Sequence, residues 1–218
     1  MSNDKARLVV IEDHPLFRER LCQLINSEPD MAICGQAESA QEALRVIRET
    51  SPSLAVVDIT LKTSSGLELI KSIKALSIRV PILVLSMHDE SLYAERVLRA
   101  GAGGYITKSK DAAEVLLAVR TVLDGKIYLS ADMTSGFLKS LTVTGTKGSV
   151  RPIDRLTDRE LQVLDLIGQG RTTKDIAQSL SLGVATIDTY RARIKEKMNF
   201  RNAMELQHFA IRWVGERE

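Results

Sequence analysis

At 218 residues the chain is long enough for one large domain or two ordinary ones, and its balance of charged and hydrophobic residues is that of a globular protein. No apolar run approaches the length of a bilayer span, the opening Met-Ser-Asn-Asp-Lys has no apolar signal region, and two cysteines make no disulfide framework. These features exclude a membrane protein and a disulfide-stapled scaffold, and they predict a cytoplasmic protein whose Cys22 and Cys34 are reduced thiols in or near the core.

The first half alternates short apolar runs with helical patterns. Leu8-Val-Val-Ile runs into Glu12-Asp13, and Phe17, Leu21, Leu24 and Ile25 then share one face of a helix. A shorter strand over Ala32–Ala37 precedes a helix near Ser39–Thr50. Leu54-Ala-Val-Val ends at Asp58, followed by a loop to Gly66 and a helix near Gly66–Ala75. Pro81-Ile-Leu-Val-Leu ends at Ser86, with a helix near Asp89–Ala100. Gly101, Gly103 and Gly104 mark a tight passage into Gly104-Tyr-Ile-Thr-Lys108, and a helix carrying Ala112, Val115, Leu116, Val119, Val122 and Leu123 closes the series. Continuous Val/Ile/Leu runs of this length suit parallel strands covered on both faces. Five βα units predict an α/β doubly wound, five-stranded parallel sheet with right-handed crossovers.

In such sheets, sites form outside the carboxyl ends of the strands. Glu12, Asp13, Asp58, Ser86 and Lys108 stand at or just beyond four of those ends, so three carboxylates, a hydroxyl and an ammonium converge on one crevice. That inventory fits a hard cation and a phosphoryl group bound together. Asp58 is the candidate nucleophile, since a carboxylate can hold a phosphoryl group as an acyl phosphate. Glu12 and Asp13 would join it around Mg²⁺, which takes a few carboxylate oxygens, waters and phosphate oxygens in an octahedral array. Lys108 would neutralise phosphoryl charge, and Ser86 would donate a hydrogen bond to it. Asp13 has a second reading, as a cap at the start of the following helix.

Glu12-Asp13, Asp58, Ser86, Tyr105 and Lys108 at these positions resemble the receiver domain of two-component response regulators, over residues 7 to about 124. The resemblance implies a flavodoxin-like fold in which Asp58 accepts a phosphoryl group from a phosphohistidine on a sensor histidine kinase. It implies Mg²⁺ held by Glu12, Asp13, Asp58 and the backbone carbonyl of Thr60, a Ser86 that turns toward the phosphoryl group, and a Tyr105 that swings inward behind it. Two features depart from the usual pattern: Glu12 stands where many receivers carry Asp, and the loop Ile59–Gly66 lacks a Pro-Gly pair.

After Ser130 the pattern of Met133, Phe137, Leu138 and Leu141 predicts a short amphipathic helix, and Thr142–Pro152, rich in Gly, Ser and Thr, predicts a linker. Beyond it everything reads as helix. Thr157 and Glu160 have capping-box spacing before a stripe of Leu161, Leu164 and Ile167 that Gly168–Gly170 ends. Thr172 or Thr173 caps a second helix with Ile176, Ala177 and Leu180 inward. A third spans Val184 to Met198, with Gly183 at its N-cap, and a fourth runs from about Asn202 to Val214. On the third, Ile187, Tyr190, Ile194 and Met198 face inward, while Thr189, Ala192 and Arg193 face out with Asp188 and Lys197 on the flanks.

Charge follows the same division. Residues 1–150 carry 18 basic and 18 acidic side chains, whereas 151–218 carry 12 and 10, with the excess concentrated between Arg171 and Arg201. A short helix, a brief turn and a basic helix form the helix-turn-helix plan, and the local excess suits a polyanion or a solvated surface. Leu156–Glu160, Ile176-Ala177, Thr186–Tyr190 and Lys197-Met198 resemble the four-helix LuxR-type DNA-binding domain, and the two halves together resemble the NarL/FixJ subfamily of response regulators. The resemblance implies double-stranded DNA as partner, bound by a homodimer. It implies base-edge contacts at Asp188, Thr189 and Ala192, and phosphate contacts at Thr172, Thr173, Lys174, Arg193 and Lys197. Asp188 can accept from a cytosine amino group or simply answer the helix dipole, and the residues leave both readings open.

The expected organisation is a receiver over residues 1–127, a connecting helix and linker over 128–152, and an all-α helix-turn-helix domain over 153–218. The expected function is phosphorylation-dependent transcriptional regulation rather than catalysis. An aspartate-nucleophile phosphatase is the enzyme alternative, but it needs a second acid where Thr60 stands. A DNA-binding protein with the first half as a mere dimerisation scaffold is the third reading, and the complete reactive set argues against it.

Overall fold

In the computed structural model, which describes residues 5–61, 64–87, 90–131, 133–134 and 152–215, the chain divides into two compact units, residues 1–145 and 146–218. The first unit runs β1 (Ala6–Ile11), α1 (Pro15–Asn26), β2 (Met31–Ala37), α2 (Ala40–Thr50), β3 (Leu54–Val57), β4 (Thr60–Leu61), β5 (Ser64–Ser65), α3 (Gly66–Ala75), β6 (Ile82–Ser86), α4 (Glu90–Ala100), β7 (Gly104–Thr107) and α5 (Ala112–Leu123). The main sheet has strand order β2-β1-β3-β6-β7, with every pairing parallel. All residues of β3 and β6 are buried, which is why those segments read as unbroken apolar runs rather than alternating ones. Chain order reverses between β1 and β3, and a doubly wound sheet opens its crevice at such a switch point.

Local signals set the helix starts. Ser39 caps α2 by accepting from the Glu42 amide, and Asp111 caps α5 by accepting from the Glu114 amide. Helix α5 lays Val115, Leu116, Val119 and Val122 on a core shared with Leu8, Val10, Leu83 and Leu85. Past α5 the chain adds one more tie to the sheet. Tyr128 pairs in parallel with Gly104, its carbonyl accepting from the Tyr105 amide at 3.0 Å, and the Ser130 amide donates to Glu90 Oε1 at 2.8 Å. A side chain at position 104 would press on the Tyr128 carbonyl oxygen at 2.9 Å, so Gly104 leaves the room this crossing needs.

One departure from expectation occurs here. The stretch after Asp58, expected as a loop, contains the small antiparallel pair β4–β5, with Thr60 opposite Ser65. After Ser130, Ala131, Met133 and Thr134 are helical as expected; Phe137, Leu138, Leu141 and residues 142–151 of the expected linker lie outside the described residues, and Pro152, its last residue, stands in a 3-10 turn.

The second unit opens with a 3-10 turn (Pro152–Arg155) and continues as α6 (Asp158–Gly168), α7 (Thr173–Ser179), α8 (Val184–Met198) and α9 (Ala203–Gly215). Leu161, Leu164, Ile176, Ile187, Ile194, Leu206 and Ala210 are buried between these helices. Of the two candidate caps for α7, Thr172 is the one used, in a reciprocal capping box with Asp175. Gly168 does more than end α6. A Cβ there would stand 2.4 Å from the Ala210 carbonyl oxygen and from Val214 Cγ2, so glycine permits the close approach of α6 and α9.

Candidate functional site

The ends of β1, β3 and β7 bring Glu12, Asp58 and Lys108 together. Lys108 Nζ lies 2.5 Å from Glu12 Oε2 and 2.8 Å from Asp58 Oδ2, and it sits 4.4 Å from the centroid of the Phe17 ring. Glu12 and Asp58 are 2% and 6% exposed. With half-buried Asp13 they offer three carboxylate oxygens within 4.8 Å of one another. Ser86, at the carboxyl end of β6, and Tyr105, on β7, are fully buried. The Lys108 amide donates to the Ser86 carbonyl at 2.8 Å, which ties the ammonium-bearing loop to the hydroxyl-bearing strand end.

Backbone contacts hold the carboxylates in place. The His14 amide donates to Glu12 Oε1 at 3.0 Å, and the Thr60 amide donates to Asp58 Oδ1 at 3.2 Å. His14, not Asp13, is the N-cap residue of α1, so the cap reading of Asp13 does not hold and its carboxylate remains with the pocket. Arg18 clamps the same turn, donating to the Glu12 carbonyl and to Glu38, each at 2.6 Å. Gly66 backs the end of β3: its amide donates to the Ile59 carbonyl at 2.8 Å, and a Cβ there would lie 2.0 Å from the Asp58 carbonyl oxygen. Arg18, Phe17 and Gly66 are additions to the residues read from sequence. Phe17 and Arg18 carry no local signal of this role, because their partners are distant in the chain or on the backbone.

The electrostatics favour a cation. Burial and then the neighbouring Asp58 carboxylate push the Glu12 carboxyl above its ordinary value, against the pull of Lys108 and the His14 amide. Burial would depress the Lys108 ammonium, yet the charges and hydrogen bonds of Asp58 and Glu12 outweigh it and hold the group above its ordinary value. Three carboxylates against one ammonium leave the cluster short of positive charge. Hard oxygen donors at this spacing fit a divalent cation of the Mg²⁺ type.

In the second unit, α8 exposes Asp188, Thr189, Ala192 and Arg193, and Lys174 is exposed near the start of α7. Thr189 Oγ1 donates back to the Ala185 carbonyl at 2.9 Å, which leaves its methyl as the free apolar group. Thr186, Thr189, Tyr190 and Arg193 line a shallow hollow on this face, and Tyr190 is half-buried rather than wholly inward. Two of the expected phosphate contacts are engaged within the fold. Thr172 Oγ1 accepts from the Asp175 amide and lies 2.7 Å from Asp175 Oδ2, and Lys197 Nζ lies 2.6 Å from Glu160 Oε2. Thr173 is half-buried at the first position of α7.

Comparison with known proteins meets both units. The response regulator receiver domain family matches residues 8–120, and the family of bacterial regulatory proteins of the luxR type matches residues 154–210. A Pseudomonas aeruginosa protein named as a transcriptional regulator is 35% identical over 95% of this chain and 98% of its own length. A LuxR-family two-component response regulator from Aurantimonas, known by crystal structure, is 35% identical with a TM-score of 0.59, covering 64% of this chain and 99% of that one. RcsB of Salmonella enterica serovar Typhimurium, solved bound to the promoter rprA with a phosphomimetic, matches in fold at 20% identity and a TM-score of 0.60, over 95% of this chain and 98% of its own.

Proposed function

The chain belongs to the response regulators that join a receiver domain to a LuxR-type DNA-binding domain, a family of transcription factors and not of catalytic enzymes, and we propose that its switch is a phosphoryl group carried on Asp58. The observation that carries this reading is the Glu12–Lys108–Asp58 cluster beside Asp13 at the strand ends. A carboxylate oxygen of Asp58 attacks phosphorus, the phosphorus–nitrogen bond of a phosphohistidine on a sensor kinase breaks, and the imidazole leaves. Mg²⁺, when bound by Glu12, Asp13, Asp58 and the Thr60 carbonyl, supplies charge neutralisation for the phosphoryl oxygens.

The chain's own groups do the rest. Lys108 is already within hydrogen-bond reach of the acceptor carboxylate and can follow the charge onto a phosphoryl oxygen. Ser86, fully buried at the end of β6, is the hydroxyl donor. Tyr105 lies on β7 opposite Val84 of β6, and its buried ring can report which of two arrangements the Ser86 loop holds. In the second unit, Thr173, Lys174 and Arg193 are proposed to meet phosphates, and Asp188, Thr189 and Ala192 to meet base edges. Among the described residues no helix is long and apolar enough to cross a membrane, and the proposed setting is the cytoplasm, with a homodimer on DNA.

Phosphorylation has to change DNA affinity or self-association, and the size of that change is a differential free energy between two receiver states. Duplex binding and sedimentation of the full-length protein, before and after treatment with acetyl phosphate and Mg²⁺, test this. Tyr105→Ala is expected to weaken the coupling more than it weakens phosphorylation. Two halves that together reproduce every behaviour of the intact chain would contradict a switch.

A further inference from the structure

Lys197 lies four residues beyond Arg193, and that spacing puts it on the same side of α8 as the exposed candidate contacts. Its ammonium nevertheless points at the start of another helix. Glu160, the third residue of α6, is buried, and its Oε2 accepts both from Lys197 Nζ at 2.6 Å and from the Thr157 amide at 2.7 Å. Thr157 in turn accepts from the Glu160 amide, which completes the capping box of α6. Burial would raise the Glu160 carboxyl, but the hydrogen bonds from Lys197 and Thr157 more than offset it and hold it below its ordinary range. One ion pair therefore joins the first turn of α6 to the last turn of α8. Each charge also sits at the helix end whose dipole it complements.

Lys174 and Arg193 behave differently. Both are exposed and make no side-chain hydrogen bond or ion pair among the described residues, so their charges are available to a polyanion.

We propose that Lys197 is a positioning residue, which fixes the angle of α8 through Glu160, and not a phosphate contact. The inference rests on the DNA-binding reading of the second unit. Lys197 lies nine residues beyond Asp188, a distance of about 13 Å at the ~1.5 Å rise of a helix. A rotation of roughly 5° about the Lys197 end would displace the base-reading face by about 1 Å over that length, enough to spoil hydrogen-bond geometry at base edges. Contacts with phosphates, made by longer and more adaptable side chains, tolerate such a shift better. Loss of the pair should thus fall on sequence-specific binding before it falls on binding to duplex in general.

The test uses full-length protein and two probes: a duplex pool enriched by the wild-type protein from random sequence, and the unselected random pool. Binding is measured across a salt series, at a temperature where circular dichroism shows each variant folded. Lys197→Ala and Glu160→Gln are both expected to lower affinity for the enriched pool about tenfold, to leave affinity for the random pool near wild type, and to keep the salt slope unchanged. Lys197→Arg, which can still pair with Glu160, should restore the enriched-pool affinity. A phosphate contact predicts another pattern: Lys197→Ala would weaken both pools alike and flatten the salt slope by about one. That pattern, or a Glu160→Gln variant that binds both pools as wild type does, would overturn the proposal. A wild-type protein that enriches no duplex would instead overturn the DNA-binding reading itself, and this inference with it.

Discussion

The acidic pocket of the first unit and the exposed face of α8 in the second solve opposite problems. In the pocket, Glu12, Asp58, Ser86 and Lys108 are buried or nearly so, and short contacts tie Lys108 to both carboxylates. Every group there is placed by a strand end, and a fault at one of them is felt by its neighbours. On α8, Asp188, Thr189, Ala192 and Arg193 are open to solvent, while two of the polar groups expected to meet DNA with them, Thr172 and Lys197, are tied to the fold itself. A small ligand with fixed chemistry is held by a closed set of side chains, whereas a long polyanion needs a surface held at the right angle.

That contrast is sharpest at Lys108. Lys108→Met should slow phosphoryl uptake from acetyl phosphate by roughly 10²-fold, the order seen when one preorganised donor to developing charge is lost. No single exposed residue of α8 should have an effect of that size on the affinity for random duplex. Stopped-flow or time-resolved mass measurements of uptake, set beside duplex titrations of Arg193→Ala, check both halves. An Arg193 effect as large as that of Lys108 would erase the distinction.

Glycine offers a matched pair of tests. Gly66→Ala forces a methyl toward the Asp58 carbonyl, and Gly168→Ala forces one toward the Ala210 carbonyl, so each should destabilise its own unit by about 1–3 kcal/mol. Only Gly66→Ala should also slow phosphoryl uptake, because it alone shifts the backbone of Asp58. Thermal melting followed by phosphorylation of each variant separates the two effects.

Glu160 gives a smaller, pH-dependent effect. Its carboxyl is held below the ordinary range in the folded state, so the stability it contributes is present above the unfolded value of about 4.3 and is lost as pH falls below it toward the folded value. Glu160→Gln should cost the second unit about 1–2 kcal/mol at neutral pH and flatten the decline on acidification. The smallest effect expected is that of Thr172→Ala, about 1 kcal/mol for a lost cap. If Thr172 also meets a phosphate, duplex affinity should fall by more than melting of the second unit predicts.

Much of this was legible in the chain. Four of the five strands of the main sheet read as apolar runs, because a strand covered on both faces carries no polar alternation; the edge strand β2, half-exposed along most of its length, does not. The pocket followed from the rule that strand ends converge, which made Glu12, Asp58 and Lys108 neighbours although 96 positions separate the outer two. The β4–β5 pair escaped notice because two-residue strands have no period to read. The Tyr128 crossing escaped for the same reason, being a single bridged residue. Gly66 and Gly168 read as boundary marks in the sequence, because the backbone that lies against each belongs to another part of the chain. A helical wheel sets Lys197 on the flank of the third helix but does not record what a neighbouring helix presents there. Its partner stands 37 positions earlier.

The central claim is that Asp58 is the phosphoacceptor of a cation-dependent pocket, and intact mass is its most direct test. Full-length protein incubated with acetyl phosphate and Mg²⁺ should gain the mass of one phosphoryl group, labile to hydroxylamine as an acyl phosphate is. The gain should vanish in Asp58→Asn and when the divalent cation is chelated. A phosphoryl group that persists in Asp58→Asn, or that forms as readily without the cation, would contradict the account.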